Sequence, residues 1–267
     1  MLSLLKIEWM KVKNYRTFWI LLAITVVSIP GINYMLYDLM DNSFPKSKGA
    51  QMILGSPFAF PDVWQTITWN SSLLFIIPAL LVITLTTNEF TFKTHRQNVI
   101  DGWSRRQFIG VKLMEILLLA VFCTILVLLT VMGFGFIGNK LAENVSVWEH
   151  SRFIFFYFVQ ALSYLMIAFL LSMLIKRAGL SIGIFLIYMI VENVIVGILR
   201  NKYKVQGVNY MPEEVTDRLI PFPYARALLA KDVPLWEHLL PSFLIVALLY
   251  LLLYCFITGR RFIKSDL

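Results

Sequence analysis

Six apolar runs, each long enough to cross a bilayer, constrain this chain more than any other feature of its sequence. They fall at about residues 17–39, 70–88, 113–137, 153–175, 180–199 and 239–258. A helix needs about 20 consecutive apolar residues to span the hydrocarbon. The runs are solid with Leu, Ile, Phe and Val and lack the period-2 alternation of barrel strands. Backbone polar groups inside lipid must be satisfied internally, so spans without barrel patterning must be helices. Composition agrees: 58% of residues are hydrophobic and 15% charged, against roughly 25% charged in an average soluble domain. The expectation is an all-α, polytopic membrane protein, a single transmembrane domain over 1–267 with six helices and no segment large enough to fold in water.

An even number of spans puts both termini on one side. The loops and tails on that side hold 14 of the 24 basic residues and five of the 16 acids, whereas the opposite loops hold ten of each. The positive-inside rule makes the basic side cytoplasmic. The net charge of +8 is thereby assigned to anionic lipid headgroups rather than to nucleic acid. Cys123 and Cys255 both lie within apolar runs and are read as packing residues, neither a disulfide nor a metal site. The first sixteen residues mix charge with apolar residues and carry no small-residue cleavage site, unlike a removable signal. Leu2, Leu5, Trp9 and Val12 recur there at helical spacing with Lys6, Glu8 and Lys13 on other faces, the pattern of an interfacial helix lying on the membrane.

On the outer side, residues 40–69 are rich in Pro, Gly, Ser and aromatics and read as a surface loop. Residues 200–238 carry apolar pieces too short to span, expected to form short helices in the outer leaflet. The loop after the second span, 88–112, is the most informative stretch. Lys93, His95, Arg96, Arg105 and Arg106 alternate with Phe90, Phe92, Val99, Ile100, Trp103 and Phe108, an amphipathic element with one side to pack and one to present. Asp101-Gly102 marks a turn and Ser104 can cap the helix that follows.

In this loop the sequence resembles the permease subunits of type-2 ATP-binding-cassette exporters. Members carry an acidic residue at the end of the second span, then a short cytoplasmic helix, a turn, a Ser-Arg pair and a Lys opening the third span. Glu89, Lys93-Thr94, Asp101-Gly102-Trp103, Ser104-Arg105 and Lys112 stand in those places. Two positions depart: Thr94 replaces a small residue, and Trp103 stands where Pro is usual. The resemblance implies an exporter permease in a bacterial cytoplasmic (inner) membrane, paired with a second permease, the same chain or a different one. Two copies of a cytoplasmic ATPase dock beneath, and they bind ATP and Mg; the permease itself has no cofactor and is not an enzyme. Glu89, Phe92, Lys93, Arg96, Asp101, Trp103, Arg105 and Arg106 would couple the permease to that ATPase, with Phe92 and Trp103 as apolar anchors. Consistently, no G-x-x-x-x-G-K-[ST] phosphate loop occurs in the sequence.

Glu192, beside Asn193, is the one carboxylate well inside a run. Charge at that depth is costly, so it must face protein or water. This pair is the candidate for the translocation path or the dimer interface, against a neutral, hydrogen-bonded structural role for Glu192. Gly133, Gly135 and Gly138, with Thr84, Thr86 and Thr87, are expected to permit close helix packing. Two other classes remain open: a membrane anchor or assembly subunit that moves no solute, and an intramembrane protease. The latter is suggested by Glu213-Glu214-Val215-Thr216-Asp217-Arg218, a Glu-Glu-x-x-x-Arg signature. Its histidine partners are missing, because His95, His150 and His238 all lie outside the apolar spans. No metal site and no catalytic residue are expected.

Overall fold

The structure, a computed structural model, describes residues 2–43, 57–138, 146–224 and 233–264. The described residues are helical, with no strand among them. The chain runs α1 (Leu2–Val12), α2 (Arg16–Ser43), α3 (Val63–Ser72), α4 (Ile76–Thr91), α5 (Thr94–Ile100), α6 (Arg105–Gly138), α7 (Arg152–Ile175) and α8 (Ala178–Asn201). A 3₁₀ turn (Gln206–Tyr210), a one-turn helix α9 (Glu214–Asp217) and α10 (Val233–Lys264) complete it. Helices α2, α6, α7, α8 and α10 are each long and apolar enough to span a membrane. The pair α3 and α4, bent by 44° at residues 73–75, is long and apolar enough to make a sixth when the two are taken together.

The second span differs from the expected 70–88, because its first half is α3, which starts within the stretch read as a surface loop. Gln65, Thr66, Thr68, Asn70, Ser71 and Ser72 interrupt the apolar run, but the fold supplies a partner for each of the following polar atoms. Thr68 Oγ1 donates to the Trp64 carbonyl (2.6 Å) and Gln65 Nε2 to the Pro221 carbonyl (2.8 Å). Asn70 Nδ2 donates to Asn33 Oδ1 (3.0 Å), and Asn33 Nδ2 to Ser71 Oγ (3.2 Å). Buried polar groups satisfied in this way are tolerated where hydropathy alone forbids them. Residues 44–56 of that expected loop, with Lys46, lie outside the described residues, as do 225–232 of the outer segment.

Helix α7 is the centre of the bundle, with both its apolar flanks and its polar Gln160, Ser163 and Ser172 buried. Phe75 at the break of the second span packs against the rings of Tyr157 and Tyr164 from α7, both 5.0 Å away. Two of the three α6 glycines are close-packed as expected. A Cβ on Gly135 would lie 2.4 Å from the Phe60 ring, and one on Gly138 would lie 2.2 Å from the Phe58 carbonyl oxygen. Gly133 has nothing within 4 Å of that position. Thr86 and Thr87 are buried, and Thr84 and Thr87 return their hydroxyls to the carbonyls of Leu80 and Ile83.

The elements sort to two ends. At one, α1, α5, the turn at Lys176 and the last turn of α10 converge: Lys176 lies over the Phe90 ring (5.3 Å), and Phe262 stacks on Phe108 (4.6 Å). This end carries both termini. The opposite end is closed by residues 57–62, 146–151 and 206–224; Trp64 Nε1 donates to the Val147 carbonyl (2.6 Å), joining the first two of these ends.

Candidate functional site

The loop of residues 88–112 folds as two helix ends around the short helix α5. Gly102 adopts φ +97°, a left-handed conformation that a side chain would strain. Ser104 and Gln107 then form a capping box at the start of α6, Gln107 N–H donating to Ser104 Oγ (3.2 Å) and Ser104 N–H to Gln107 Oε1 (2.8 Å). The orphan carbonyl of Glu89 at the end of α4 accepts from His95 Nδ1–H (2.8 Å). The loop is therefore held shut by its own caps.

Lys112, two turns into α6, is the hub of this end. It is 4% exposed. Its ammonium meets Glu8 Oε2 of α1 at 2.8 Å, Glu89 Oε1 of α4 at 2.6 Å and Glu115 Oε2 of α6 at 3.1 Å. Lys11 extends the network, donating to Glu8 Oε1 (2.6 Å) and to Asn98 Oδ1 of α5 (3.1 Å) and lying 5.7 Å from the Trp103 ring centre. Three helices, α1, α4 and α6, thus share one set of charges, and α5 joins it through the Asn98 amide. A buried ammonium is stable only when paired and hydrogen-bonded, so the helices hold the charge and the charge holds the helices. Burial alone would raise the Glu8 carboxyl, but Lys112 and Lys11 outweigh it and hold it down to about 2. Above the network, a cavity of about 550 Å³ opens between α1, α2, α4 and α6 with Glu8, Lys112 and Glu115 among its lining residues.

The residues singled out in the sequence separate into two sets. Phe92 is 70% exposed and Ile100 80%, and Lys93, Arg96, Asp101 and Arg106 are exposed beside them. Glu89 faces inward to Lys112. Trp103 also points inward, 8% exposed, so its ring packs within the chain and is not free to anchor a partner. Arg105 Nη1 donates to the Ile263 carbonyl (2.6 Å), tying the loop to the end of α10. Glu8, Lys11 and Asn98 were not picked out from sequence. Glu8 in particular sits on what reads as the polar face of α1, and nothing in a single sequence says that this face meets Lys112.

The opposite end holds a second cluster. Glu192 and Asn193 diverge: Glu192 is buried, and Asn193 is exposed on the outer face of α8, its Nδ2 returned to the Met189 carbonyl (2.9 Å). Glu192 Oε1 accepts from the backbone N–H groups of Glu213 (2.6 Å) and Glu214 (3.1 Å). Asp217 Oδ1 accepts from Gln160 Nε2 and the Tyr164 hydroxyl, both at 2.8 Å. Glu214 pairs with Arg200 and, at 2.7 Å, with Arg218. Glu213 is 1% exposed, and among the described residues neither of its carboxyl oxygens has a hydrogen-bond partner. Burial first, then Glu192 and Asp217, push its carboxyl up to about 9. The Glu-Glu-x-x-x-Arg sequence thus belongs to a latch between the cap of residues 206–220 and the spans. His150 turns instead to Asp62 (3.7 Å) and His238 is exposed. Among the described residues no group of three His, Cys, Asp or Glu is arranged to hold a metal ion.

A bundle with a broken second span, a capped amphipathic loop beside its termini and a buried charge hub behind that loop defines a multi-pass membrane protein built around one helical domain. Residues 4–192 match the family described as ABC-2 family transporter protein, and the chain belongs to that family. It is therefore a permease, the membrane component of an ATP-binding-cassette transporter and not the ATPase. The match takes in the whole hub and ends at Glu192. No curated protein matches the chain.

Proposed function

We propose that this permease exports its substrate by coupling to a separate cytoplasmic ATPase through the loop at residues 89–106. The observation that carries the reading is the Lys112 hub. A displacement of α5 acts on Asn98 and Trp103, and through Lys11, Glu8 and Lys112 it reaches α1, α4 and α6 together. A set of packed helices sharing buried ion pairs moves as one body rather than deforming residue by residue. Phe92 and Ile100 are the apolar contacts offered to the ATPase, with Lys93, Arg96 and Arg106 steering the encounter. Trp103 acts as a positioning residue, holding α5 against Lys11. The end bearing the termini is the cytoplasmic one, with α1 lying at the membrane interface. The exposed face of α8 that includes Asn193 is the surface for a second permease, the same chain or another, with one ATPase beneath each. ATP and Mg belong to the ATPase, and the contribution of this chain is shape and coupling.

The test is co-purification of the permease with its candidate ATPase in detergent, followed by ATP hydrolysis. Phe92→Ala should weaken association by about 2 kcal/mol, roughly thirtyfold, if Phe92 is a binding hot spot. Trp103→Ala should bind more nearly normally yet stimulate hydrolysis poorly, because it loosens the hub behind the contact. Wild-type binding and stimulation by both variants would refute coupling through this loop. Association without any substrate-dependent hydrolysis would favour an anchor or assembly subunit.

A further inference from the structure

We propose that Glu213 is a proton-binding site on the outer face of the permease, and that the cap of residues 206–220 stays latched onto the spans while its carboxyl is neutral. The inference stands apart from coupling to an ATPase, since it concerns the opposite end of the bundle. The cap is pinned to three spans. Glu192 of α8 accepts the Glu213 and Glu214 backbone N–H groups, and Gln160 and Tyr164 of α7 hold Asp217. From α10, Trp236 Nε1 donates to the Arg218 carbonyl (2.7 Å) and the Tyr250 hydroxyl to the Tyr210 carbonyl (3.1 Å). The Glu213 residue joins this ring through its backbone N–H, but its carboxyl takes part in none of the attachments.

The charges around it decide its state. Glu192 from α8 and Asp217 from α9 both act on Glu213, and the phenols of Tyr164, Tyr188 and Tyr254 are the other titratable neighbours from α7, α8 and α10. Arg200 at the end of α8 and Arg218 in the cap both pair with Glu214. Glu192 takes two backbone donors, and Asp217 takes an amide and a phenol. Glu213 has no donor for either oxygen among the described residues. A third buried anion without a partner is the arrangement the low-dielectric interior resists most strongly, so the proton resides on Glu213. When Glu213 ionises, its repulsion from Glu192 and Asp217 acts along the cap's own attachments and lifts it from the outer mouth of the bundle.

Two readouts test this. Infrared difference spectra of the purified permease in lipid nanodiscs should show a protonated-carboxyl C=O stretch at neutral pH that is absent from Glu213→Gln and titrates in wild type with a midpoint near 9. Glu192→Gln removes the nearest like charge and should lower that midpoint by about one pH unit or more. In parallel, a Val208→Cys reporter, buried in the closed cap, should react with a membrane-impermeant maleimide at the same rate in wild-type and Glu213→Gln backgrounds at pH 7. At pH 9 the wild-type background should react faster than the Glu213→Gln background, a comparison that cancels the gain in thiolate common to both. A wild-type spectrum with no band lost in Glu213→Gln overturns the proposal. So does a Glu213→Gln cap that labels fast at pH 7, because a neutral amide of the same shape should hold the latch closed.

Discussion

Removing the ammonium of Lys112 is the sharpest perturbation of the hub. Lys112→Met keeps the length and most of the volume of the side chain but leaves Glu8, Glu89 and Glu115 facing one another with only Lys11 nearby. At 2.8 Å the Lys112 attraction to Glu8 alone is about 6 kcal/mol with an effective dielectric of 20. Desolvation of the ions offsets much of that, and removing one partner of a buried pair costs on the order of 3–5 kcal/mol net. Reversible unfolding in mixed micelles should therefore show Lys112→Met less stable by about that amount, while membrane insertion is unchanged because the spans are intact. Glu8→Gln in the Lys112→Met background should recover part of the loss, since the substitution removes one of the stranded anions. The double-mutant cycle should give a coupling of at least about 1 kcal/mol between the two residues. A Lys112→Met protein within about 0.5 kcal/mol of wild type, or strictly additive effects, would refute the view that this ion set holds α1, α4 and α6 together.

Other outcomes follow from the same geometry. The folded pKa of Glu8 is depressed, so the unfolded chain binds more protons at low pH: its contribution to stability is complete above about 4.5, is lost as pH falls towards about 2, and is absent in Glu8→Gln, as acid-unfolding curves should show. Glu192→Gln keeps an oxygen for the two N–H donors of Glu213 and Glu214 and should fold and insert normally. Glu192→Lys sets a donor against donors and should fail, as the yield of monodisperse protein will report. Gly133→Ala should be neutral or stabilising by about 0.5–1 kcal/mol, since alanine favours a helix and nothing fills the space. Gly138→Ala drives a methyl into the Phe58 carbonyl and should destabilise, so thermal melts of the two variants should move in opposite directions.

The resemblance to exporter permeases, read from the 88–112 loop, and the family match agree on what kind of protein this is. The loop could be read because its parts are local. The Asp101-Gly102 turn, the Ser104 cap and the Lys112 position depend on neighbours a few residues away, and local rules describe them. The second span could not be read in full, because its first half earns its place in the bundle through partners up to 156 residues distant, such as the Gln65 contact with Pro221. Trp103 shows the same limit in reverse. The resemblance makes it an apolar anchor for the ATPase, whereas the approach of α1 with Lys11 leaves it buried within the chain.

Sequence by itself determined the all-helical, multi-pass character of the chain and its family, because each rests on summed hydropathy or on short-range pattern. Tertiary structure decided which charges are buried and with whom. Glu8 of α1, Glu89 of α4 and Lys112 of α6 become one site, Glu192 joins the Glu213 backbone, and Glu192 and Asn193, adjacent in sequence, turn to opposite faces of one helix. The physical reason is that a buried charge is stable only through partners brought to within about 3 Å, and those partners come from helices far apart along the chain, whose approach is set by packing.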